Sequence, residues 1–275
     1  MNQDNPDQNA DQGLSAYERA AQDGAADPRC VPVRLDGPVP EGSAIEVPDY
    51  PDVDHETWRI LYDRQMELLP GRACRDYLEG QTALGLGRER IPALRDLGGR
   101  LEATSGWNVA RIPGLLHEED FFGLLARRRF PTTDYIRQRH ELDYTPAPDM
   151  FHDIFGHMPM ITNPSVAAFY EEFGKIAGRA RGSDRRCLER FYWFTVEFGL
   201  VHEAGERRVY GSGILSSPRE VVHALSSDVE VLPFDPEVMT ETEYDVWHLQ
   251  PKLFVVDSFE QLEEGFRAWV RDRLG

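Results

Sequence analysis

Cysteine is scarce in this chain, and long apolar runs are missing. Three cysteines occur in 275 residues, at positions 30, 74 and 187, and an odd number at such wide spacing is not the pattern of a disulfide framework. No apolar run approaches the roughly eighteen residues of a membrane-spanning helix. The N-terminus is polar and acidic, unlike a secretory signal peptide. These absences predict a cytoplasmic protein without a membrane segment.

Positive charge is also in deficit. The chain has 30 Lys and Arg against 48 Asp and Glu, which gives a formal net charge of −18. A surface of this sign repels nucleic acids and anionic membranes, so neither is an expected partner. Thirteen of the acidic residues but only three arginines fall within the first 56 positions. The excess of negative charge is therefore concentrated near the N-terminus.

Several catalytic signatures are absent as well. The segment Gly85-Leu86-Gly87 has no third glycine and no preceding strand pattern, so it does not predict a dinucleotide-binding fold. The chain also lacks a Walker-type phosphate loop and the Gly-x-Ser-x-Gly turn of serine hydrolases. Mechanisms that depend on these motifs are not indicated.

Large apolar side chains are rare at the N-terminus. Residues 1–28 are rich in Asn, Asp, Gln, Ala and Gly, and prolines recur in the stretch that follows. Such a segment cannot bury enough surface to offset its conformational entropy. We therefore expect residues 1–45 to be a disordered or extended acidic tail and residues 46–275 to form one domain. Deleting residues 1–28 is expected to leave stability nearly unchanged.

The apolar periodicity predicts a mostly α domain, of α+β type with a few short strands. Asp54 is expected to cap a helix from His55 to Leu69. In the last predicted helix, one apolar stripe faces the core; it consists of Phe259, Leu262, Phe266 and Trp269. Other predicted segments are helices over 118–129, 165–179 and 185–205 and strands over 107–112, 208–216 and 253–256.

What the sequence does contain is a short segment with two histidines. Residues 144–159 read Tyr-Thr-Pro-Ala-Pro-Asp-Met-Phe-His-Asp-Ile-Phe-Gly-His-Met-Pro, and Asp149 can cap the helix that follows the prolines. On a regular α-helix, a spacing of five residues separates His152 from His157 by about 140°. They converge only if the helix ends or distorts between them, and we expect Gly156 and Pro159 to end it. Two converging imidazoles begin a metal site.

Glu197 is the predicted third ligand. It lies in the segment 191–200, Phe-Tyr-Trp-Phe-Thr-Val-Glu-Phe-Gly-Leu, which has helical length and is apolar almost all round, so burial is expected. A buried carboxylate must be protonated, paired with an arginine or bound to a cation. Two histidines and one carboxylate form the facial triad of non-haem Fe(II) oxygenases.

Two other classes of protein fit the same three residues. Zinc accepts such ligands in hydrolases, although the chain has no His-Glu-x-x-His motif and no obvious separate general base. A non-enzymatic helical binding protein, with Glu197 paired to an arginine, is the second alternative. It would bind no metal.

Three motifs also resemble the pterin-dependent aromatic amino acid hydroxylases. They are Thr-Pro-x-Pro-Asp-x-x-His-Asp-x-x-Gly-His-x-Pro at 145–159, Tyr-Trp-Phe-Thr-Val-Glu-Phe-Gly-Leu at 192–200 and Tyr-Gly-Ser-Gly-Ile-Leu-Ser-Ser at 210–217. The step from His157 to Glu197 agrees with that family. The similarity runs from about residue 50 to about residue 260, and the chain looks most like the bacterial phenylalanine 4-hydroxylases.

The resemblance implies a fold, cofactors and a reaction. The fold would be the family's single catalytic domain, with Fe(II) and a tetrahydropterin bound. Iron and pterin would together activate O2 to hydroxylate the ring of L-phenylalanine, which gives L-tyrosine. Tryptophan and tyrosine are the alternative substrates, because pocket shape decides among them. His152, His157 and Glu197 would be the metal ligands and the catalytic centre.

The resemblance also assigns binding residues. Arg137 matches the position whose guanidinium holds the carboxylate of the amino acid; the alternative is a surface arginine paired with Glu141. The other substrate-binding positions would be Thr145, Pro146, Trp193, Phe198, Gly213 and Ser216. The pterin would contact Gly114, Leu115, Leu116, Phe121, Asp153 and Tyr192, with Phe121 stacked on its ring. Animal members carry Glu in place of Asp153, so its contact to the pterin is either direct or through water.

Assembly is the last property that the resemblance bears on. Animal members of the family have an N-terminal regulatory domain and form tetramers through a long C-terminal helix. Here the segment before residue 50 is too poor in apolar side chains for a regulatory core. No heptad pattern remains beyond the stripe of the last helix. We expect a monomer with a hyperbolic dependence on the amino acid.

Overall fold

Helices dominate the domain. The computed structural model describes residues 27–143 and 145–274, so the first 26 residues of the predicted tail at 1–45, together with Tyr144 and Gly275, lie outside the described residues. Within these ranges the α-helices are α1 Asp52–Leu68, α2 Arg75–Ala83, α3 Leu94–Ser105, α4 Glu118–Leu125, α5 Met158–Ile161, α6 Pro164–Ala177, α7 Gly182–Tyr192, α8 Ser212–Leu215, α9 Pro218–Ala224, α10 Pro236–Glu241 and α11 Phe259–Leu274. Two π-helices, His152–His157 and Trp193–Glu197, lie between them.

The strands form two small sheets. They are β1 Asn108–Ile112, β2 Arg129–Thr133, β3 Gly199–Glu203, β4 Glu206–Val209, β5 Glu230–Pro233 and β6 Lys252–Val256. Strands β1 and β2 are parallel. The second sheet has the order β4-β3-β6-β5, in which only β3 and β4 are antiparallel. The predicted mostly α domain with a few short strands is confirmed.

Three predicted segments are wrong in part. The helix over 118–129 ends at Leu125, because the buried residues that follow Arg129, among them the β-branched Thr132 and Thr133, pair with β1 as part of strand β2. The helix over 185–205 ends at Glu197, and Gly199 opens β3. A Cβ on Gly199 would lie 2.2 Å from the ring of Tyr210, so the close approach of these segments requires glycine. The strand over 208–216 ends at Val209, where α8 follows shortly.

The start of α1 differs from the prediction. The helix begins at Asp52 after Pro51, and no side chain caps it. Asp54 therefore lies inside the first turn and is not the cap. Proline pre-sets the backbone at the entrance, and the acidic side chains of the first turn complement the helix dipole.

The N-terminal part of the described chain packs on the domain. Cys30 and Ile45 are buried, and Val33 forms a parallel bridge with Leu116. The guanidinium of Arg29 pairs with Glu141. Residues 27–45 are extended with two short 3-10 turns, and their contacts tie them to the body of the protein.

The first π-helix rests on an aromatic cluster. Phe151 and Phe155 stack with ring centroids 4.7 Å apart, and Trp58 packs edge-on against Phe151 at 5.3 Å. The hydroxyl of Tyr77 on α2 donates a hydrogen bond to the carbonyl of Phe155 at 2.9 Å. Helices α1 and α2 therefore support the backbone that carries the two histidines. Among the helices of the described ranges, none is both long and apolar enough to cross a membrane.

The contact between α2 and α5 leads to a stability prediction. A Cβ on Gly80 would lie 2.1 Å from the carbonyl oxygen of Pro159, whereas a Cβ on Gly99 of α3 would meet nothing within 4 Å. We expect Gly80→Ala to lower the free energy of unfolding by about 1–3 kcal/mol through overpacking. Gly99→Ala is the control and should be neutral or stabilising by up to ~1 kcal/mol, because alanine favours helix. Urea unfolding at unchanged m-value measures both, and equal effects would contradict the packing argument.

Candidate metal and substrate site

A π-helix brings the two histidines together. In this geometry each backbone N–H bonds to the carbonyl five residues earlier, so positions five apart lie on the same side. The Nε2 atoms of His152 and His157 are 3.1 Å apart. The predicted distortion is confirmed, but the predicted end at Gly156 and Pro159 is wrong, because the chain continues into α5. Gly156 serves packing instead: a Cβ there would lie 2.9 Å from the carbonyl of Ser212.

The second π-helix supplies the carboxylate. Glu197 is its last residue; its Oε1 lies 3.2 Å from Nε2 of His157, and its Oε2 lies 3.5 Å from Nε2 of His152. Three donors that each lie about 2.1 Å from a common ion are separated by roughly 3.0–3.4 Å. The two imidazole nitrogens and the carboxylate of Glu197 are therefore close enough together to hold one divalent metal ion. The alternative with Glu197 paired to an arginine is wrong.

Outer hydrogen bonds orient these ligands. The hydroxyl of Ser216 donates to the carbonyl of Ser212 at 2.8 Å, so it accepts from Nδ1–H of His152 at 3.0 Å. The phenol oxygen of Tyr170 lies 3.3 Å from Nδ1 of His157. Because Nδ1 of His152 carries the proton, its Nε2 lone pair faces the position of the ion, and Tyr170 as acceptor from Nδ1–H of His157 would leave Nε2 of that ring free in the same way. The hydroxyl of Ser212 donates to Oε2 of Glu197 at 2.8 Å.

The charge states of His152 and Glu197 suit metal binding. Burial lowers the pKa of His152 to about 4, so this imidazole is neutral at pH 7. Burial also opposes ionisation of Glu197, but the two histidines and the bond from Ser212 outweigh it and lower its pKa to about 2. A neutral imidazole and an ionised carboxylate are the forms that coordinate a metal.

All sixteen residues that the sequence analysis selected line one cavity. Its volume is about 340 Å³, which lies in the range of small-ligand sites. Around it stand Gly114, Leu115, Leu116, Phe121, Arg137, Thr145, Pro146, His152, Asp153, His157, Tyr192, Trp193, Glu197, Phe198, Gly213 and Ser216. Their individual roles stay predictions, but the structure brings every one of them to the same place.

Arg137 is buried and held by an aspartate. Its Nε and Nη2 atoms bond to the two carboxylate oxygens of Asp149 at 2.9 and 2.8 Å. Oδ1 of Asp149 also accepts from the backbone N–H of His152 at 3.1 Å. The predicted helix cap is therefore confirmed, and the same carboxylate also holds Arg137. Only 6% of Arg137 is exposed, and Glu141 pairs with Arg29 instead. The alternative of a surface arginine paired with Glu141 is therefore wrong.

Aromatic rings form one wall of the cavity. The ring of Trp193 stacks on Tyr244 at 4.4 Å and lies 4.6 Å from Phe198. Its indole N–H donates to the side chain of Gln250 at 3.1 Å. A Cβ on Gly213 would lie 2.9 Å from the ring of Phe198, so glycine allows α8 to approach this wall. The wall is rigid because each ring is fixed by a neighbour.

The same cavity also contains the positions predicted to contact a pterin. Phe121 packs edge-on against Tyr192, with centroids 5.8 Å apart. The backbone N–H of Val33 donates to the carbonyl of Leu115 at 2.9 Å, which holds the loop before α4. Asp153 accepts from the backbone and the hydroxyl of Thr133 at 2.9 and 3.0 Å. Burial raises the pKa of Asp153 to about 7, although these bonds oppose the shift.

Sequence reasoning missed several residues of the site. Ser212, Tyr170, Glu220 and Tyr244 either bond to the predicted ligands or line the cavity. Ser212 and Tyr170 lie on helices that reach the ligands only through tertiary packing. No periodicity or spacing in the sequence marks them.

Removing the hydroxyl of Tyr170 should weaken metal binding. Tyr170→Phe keeps the ring but takes away the acceptor that fixes the tautomer of His157, and such losses cost about 10- to 100-fold in metal affinity. Titration with Co(II) against a competing chelator measures the effect. Tyr62→Phe is the control, since its hydroxyl bonds to the carbonyl of Leu86 at 3.2 Å, away from the three ligands. Equal affinities in the two variants would show that Tyr170 does not orient the ligand.

Comparison with known families gives a clear match. Residues 39–274 match the family described as biopterin-dependent aromatic amino acid hydroxylase. The chain is 45% identical over 232 residues to the phenylalanine-4-hydroxylase of Pseudomonas aeruginosa, covering 82% of this chain and 88% of that protein. It is 43% identical over 216 residues to the enzyme of the same name from Chromobacterium violaceum, covering 78% and 72%.

Solved structures agree with this result. The Chromobacterium violaceum phenylalanine hydroxylase with iron(III) and 7,8-dihydrobiopterin superposes with a TM-score of 0.78 at 41% identity, covering 82% of this chain and 83% of that one. The cold-active phenylalanine hydroxylase of Colwellia psychrerythraea gives 0.77 at 37% identity, covering 80% and 87%. The chain therefore belongs to the biopterin-dependent aromatic amino acid hydroxylases.

Proposed function

We propose that this protein is an Fe(II)- and tetrahydropterin-dependent phenylalanine 4-monooxygenase, which hydroxylates L-phenylalanine with O2 to give L-tyrosine. The observation that carries the proposal is the triad of His152, His157 and Glu197 at the wall of a cavity that also contains a buried arginine and an aromatic wall. The relatives named phenylalanine-4-hydroxylase support the choice of phenylalanine over tryptophan and tyrosine.

The donor set fits iron. His152, His157 and Glu197 would hold Fe(II) from one side, and the remaining coordination positions would face the cavity. When bound, the iron and the reduced pterin supply the activation of O2. Ser212, Ser216 and Tyr170 keep the three donors in the required orientation, which lowers the cost of assembling the site.

The cavity suits an aromatic amino acid. Arg137, already fixed by Asp149, would bind the carboxylate, with Thr145, Gly213 and Ser216 at the same polar end. Trp193, Phe198 and Pro146 would enclose the ring and exclude water. Rigid walls of this kind fix the distance and angle of the ring to the reacting centre, which is the main contribution a protein makes to such chemistry.

The pterin would occupy the other side. Phe121 would stack on its ring, and the backbone of Gly114, Leu115 and Leu116 would contact its edge. Tyr192 lies beside Phe121. Asp153 is bonded to Thr133 and lines the cavity, so it would bind polar atoms of the pterin directly or through a water molecule.

The same proposal covers organisation and location. Residues 1–45 would be a tail and residues 46–275 the catalytic domain, with the contacts of residues 27–45 as an addition to it. A monomer is supported by α11, whose stripe Phe259, Leu262, Phe266 and Trp269 is buried in the domain's own core. A cytoplasmic location is supported by three free, buried cysteines. The reactants would be the amino acid, O2 and a reduced pterin, without nucleic acid or membrane as partners.

Turnover of three substrates tests the proposal. With Fe(II), a tetrahydropterin and air, we expect phenylalanine to give tyrosine faster than tryptophan or tyrosine is hydroxylated, as measured by product mass and ring position. His152→Ala, His157→Ala and Glu197→Ala should each lose iron and activity together. Iron retained at full occupancy with near-normal turnover in any of them would contradict the triad. Preference for another amino acid would reassign the substrate only.

Arg137→Lys should weaken the binding of phenylalanine much more than the binding of the pterin. A lysine cannot form the two-point contact of the guanidinium fork, so affinity for phenylalanine should fall by about 10-fold or more while pterin affinity changes little. Calorimetric titration of each ligand measures this. Arg190→Lys is the control for losing a partly buried arginine, because Arg190 bonds to the carbonyl of Thr240 at 2.8 Å outside the cavity. Equal losses for both ligands would make Arg137 a structural residue.

A further inference from the structure

Most carboxylates around the cavity already have partners. Glu118 pairs with Arg185 at 2.7 Å, and Asp143 pairs with Arg64 at 2.8 Å. Asp153 accepts two bonds from Thr133, Glu197 bonds to Ser212 and the histidines, and Glu189 has a partner as well. Each of these carboxylates has a partner within the protein itself.

Glu220 is the exception. It lines the same cavity, and within residues 27–143 and 145–274 its carboxylate makes no hydrogen bond or ion pair, although Oε2 is shielded from solvent. Burial raises the pKa of Glu220 to about 7, and Arg219 offsets only part of the shift. Glu220 as a whole is half-buried, but a carboxylate oxygen that is shielded from solvent without a partner destabilises a folded protein, so its presence at this position indicates a ligand that balances it.

A structural role in capping α9 does not account for Glu220. The residue stands three positions after Ser217, the spacing of a capping box. In such a box the glutamate would accept from the backbone N–H of Ser217. That N–H instead donates to the carbonyl of Ile214 at 3.1 Å, while the hydroxyl of Ser217 caps the N–H of Glu220. The carboxylate is therefore not engaged by the helix.

Glu220 lines the cavity in which the polar groups of the amino acid would bind. It lies four residues after Ser216, whose hydroxyl contacts Nδ1 of His152. Arg137 is linked to the same histidine through Asp149, which accepts a hydrogen bond from the backbone N–H of His152. An α-amino acid carries its carboxylate and its ammonium on one carbon atom. A cation for the first and an anion for the second must therefore be available in one site, and Arg137 and Glu220 line the same cavity.

We propose that Glu220 binds the α-ammonium group of the substrate and so selects amino acids over aromatic carboxylic acids that lack the amine. This inference rests on the proposed function, since it deepens recognition at the same cavity. Binding of the ammonium gives the buried carboxylate the partner that the free protein does not provide. Glu220 is then a positioning residue that discriminates between ligands and takes no part in the oxidation itself.

The test compares two ligands in two proteins. Glu220→Gln keeps the shape of the side chain and removes its charge. In the iron-loaded protein under anaerobic conditions, calorimetry should show a loss of roughly 10- to 100-fold in affinity for L-phenylalanine, the range for a hydrogen bond to a charged group. Affinity for 3-phenylpropanoate, which lacks the amine, should change less than about 3-fold. A change of this size is what is expected when the substituted side chain does not contact the ligand. In turnover, KM should rise with little change in kcat, as expected for lost ground-state binding.

Stability separates ligand binding from a structural role. If Glu220 only supported the fold, Glu220→Gln would lower the melting temperature and affect both ligands alike. We expect an unchanged or higher melting temperature, because a buried unpaired charge is removed. Asp143→Asn is the control for losing one negative charge at the rim and should leave both affinities unchanged. Glu220→Asp should retain part of the preference for phenylalanine.

The outcomes distinguish this inference from the proposed function. A loss that phenylalanine and 3-phenylpropanoate share, or no loss for phenylalanine, would overturn the assignment of Glu220 while wild-type turnover stands. If the wild-type protein fails to bind or hydroxylate phenylalanine at all, the proposed function itself is wrong.

Discussion

The π-helical geometry of two segments, His152–His157 and Trp193–Glu197, is the constraint on which the rest of the structure depends. An α-helix would point His152 and His157 in different directions, and the π form turns both toward Glu197 at the end of a second π-helix. Such backbone is less favourable than α-helix and persists only where the surroundings fix it. The stacked rings of Phe151 and Phe155 provide this support from below, and the hydroxyl of Tyr77 bonds to a carbonyl within the widened turn.

The sequence predicted the chemical nature of the site better than the course of the backbone that forms it. The types and spacing of His152, His157 and Glu197 predict a metal triad, because few other arrangements of buried histidine and carboxylate are stable. The path of the chain around them was less predictable. The apolar run at 191–200 looks like a helix that continues, and only the packing of Gly199 against Tyr210 shows why it ends. Tertiary contacts of this kind override local propensity.

At one end of the cavity, buried charge is held in a balanced pair formed by Arg137 and Asp149. Asp149 is completely buried yet stays ionised, because Arg137 and the backbone N–H of His152 hold its pKa below the usual range despite the burial that opposes it. Pairs of this type add little net stability, but the loss of one partner is costly. The polar end of the cavity is therefore fixed before a ligand arrives, which reduces the ordering that binding would otherwise require.

The contacts of the extended segment at residues 27–45 determine when this segment can fold onto the rest of the domain. The thiol of Cys30 donates to the carbonyl of Pro146 at 3.1 Å, across 116 positions of sequence, and Val33 bridges to the loop before α4. Contacts between such distant parts of a chain form late, because the loop that joins them must first be closed. During synthesis this segment leaves the ribosome early. More than a hundred further residues must then be made before Pro146 is available to accept the hydrogen bond from Cys30. The contacts of this segment are thus completed only after α1 to α4 have been made.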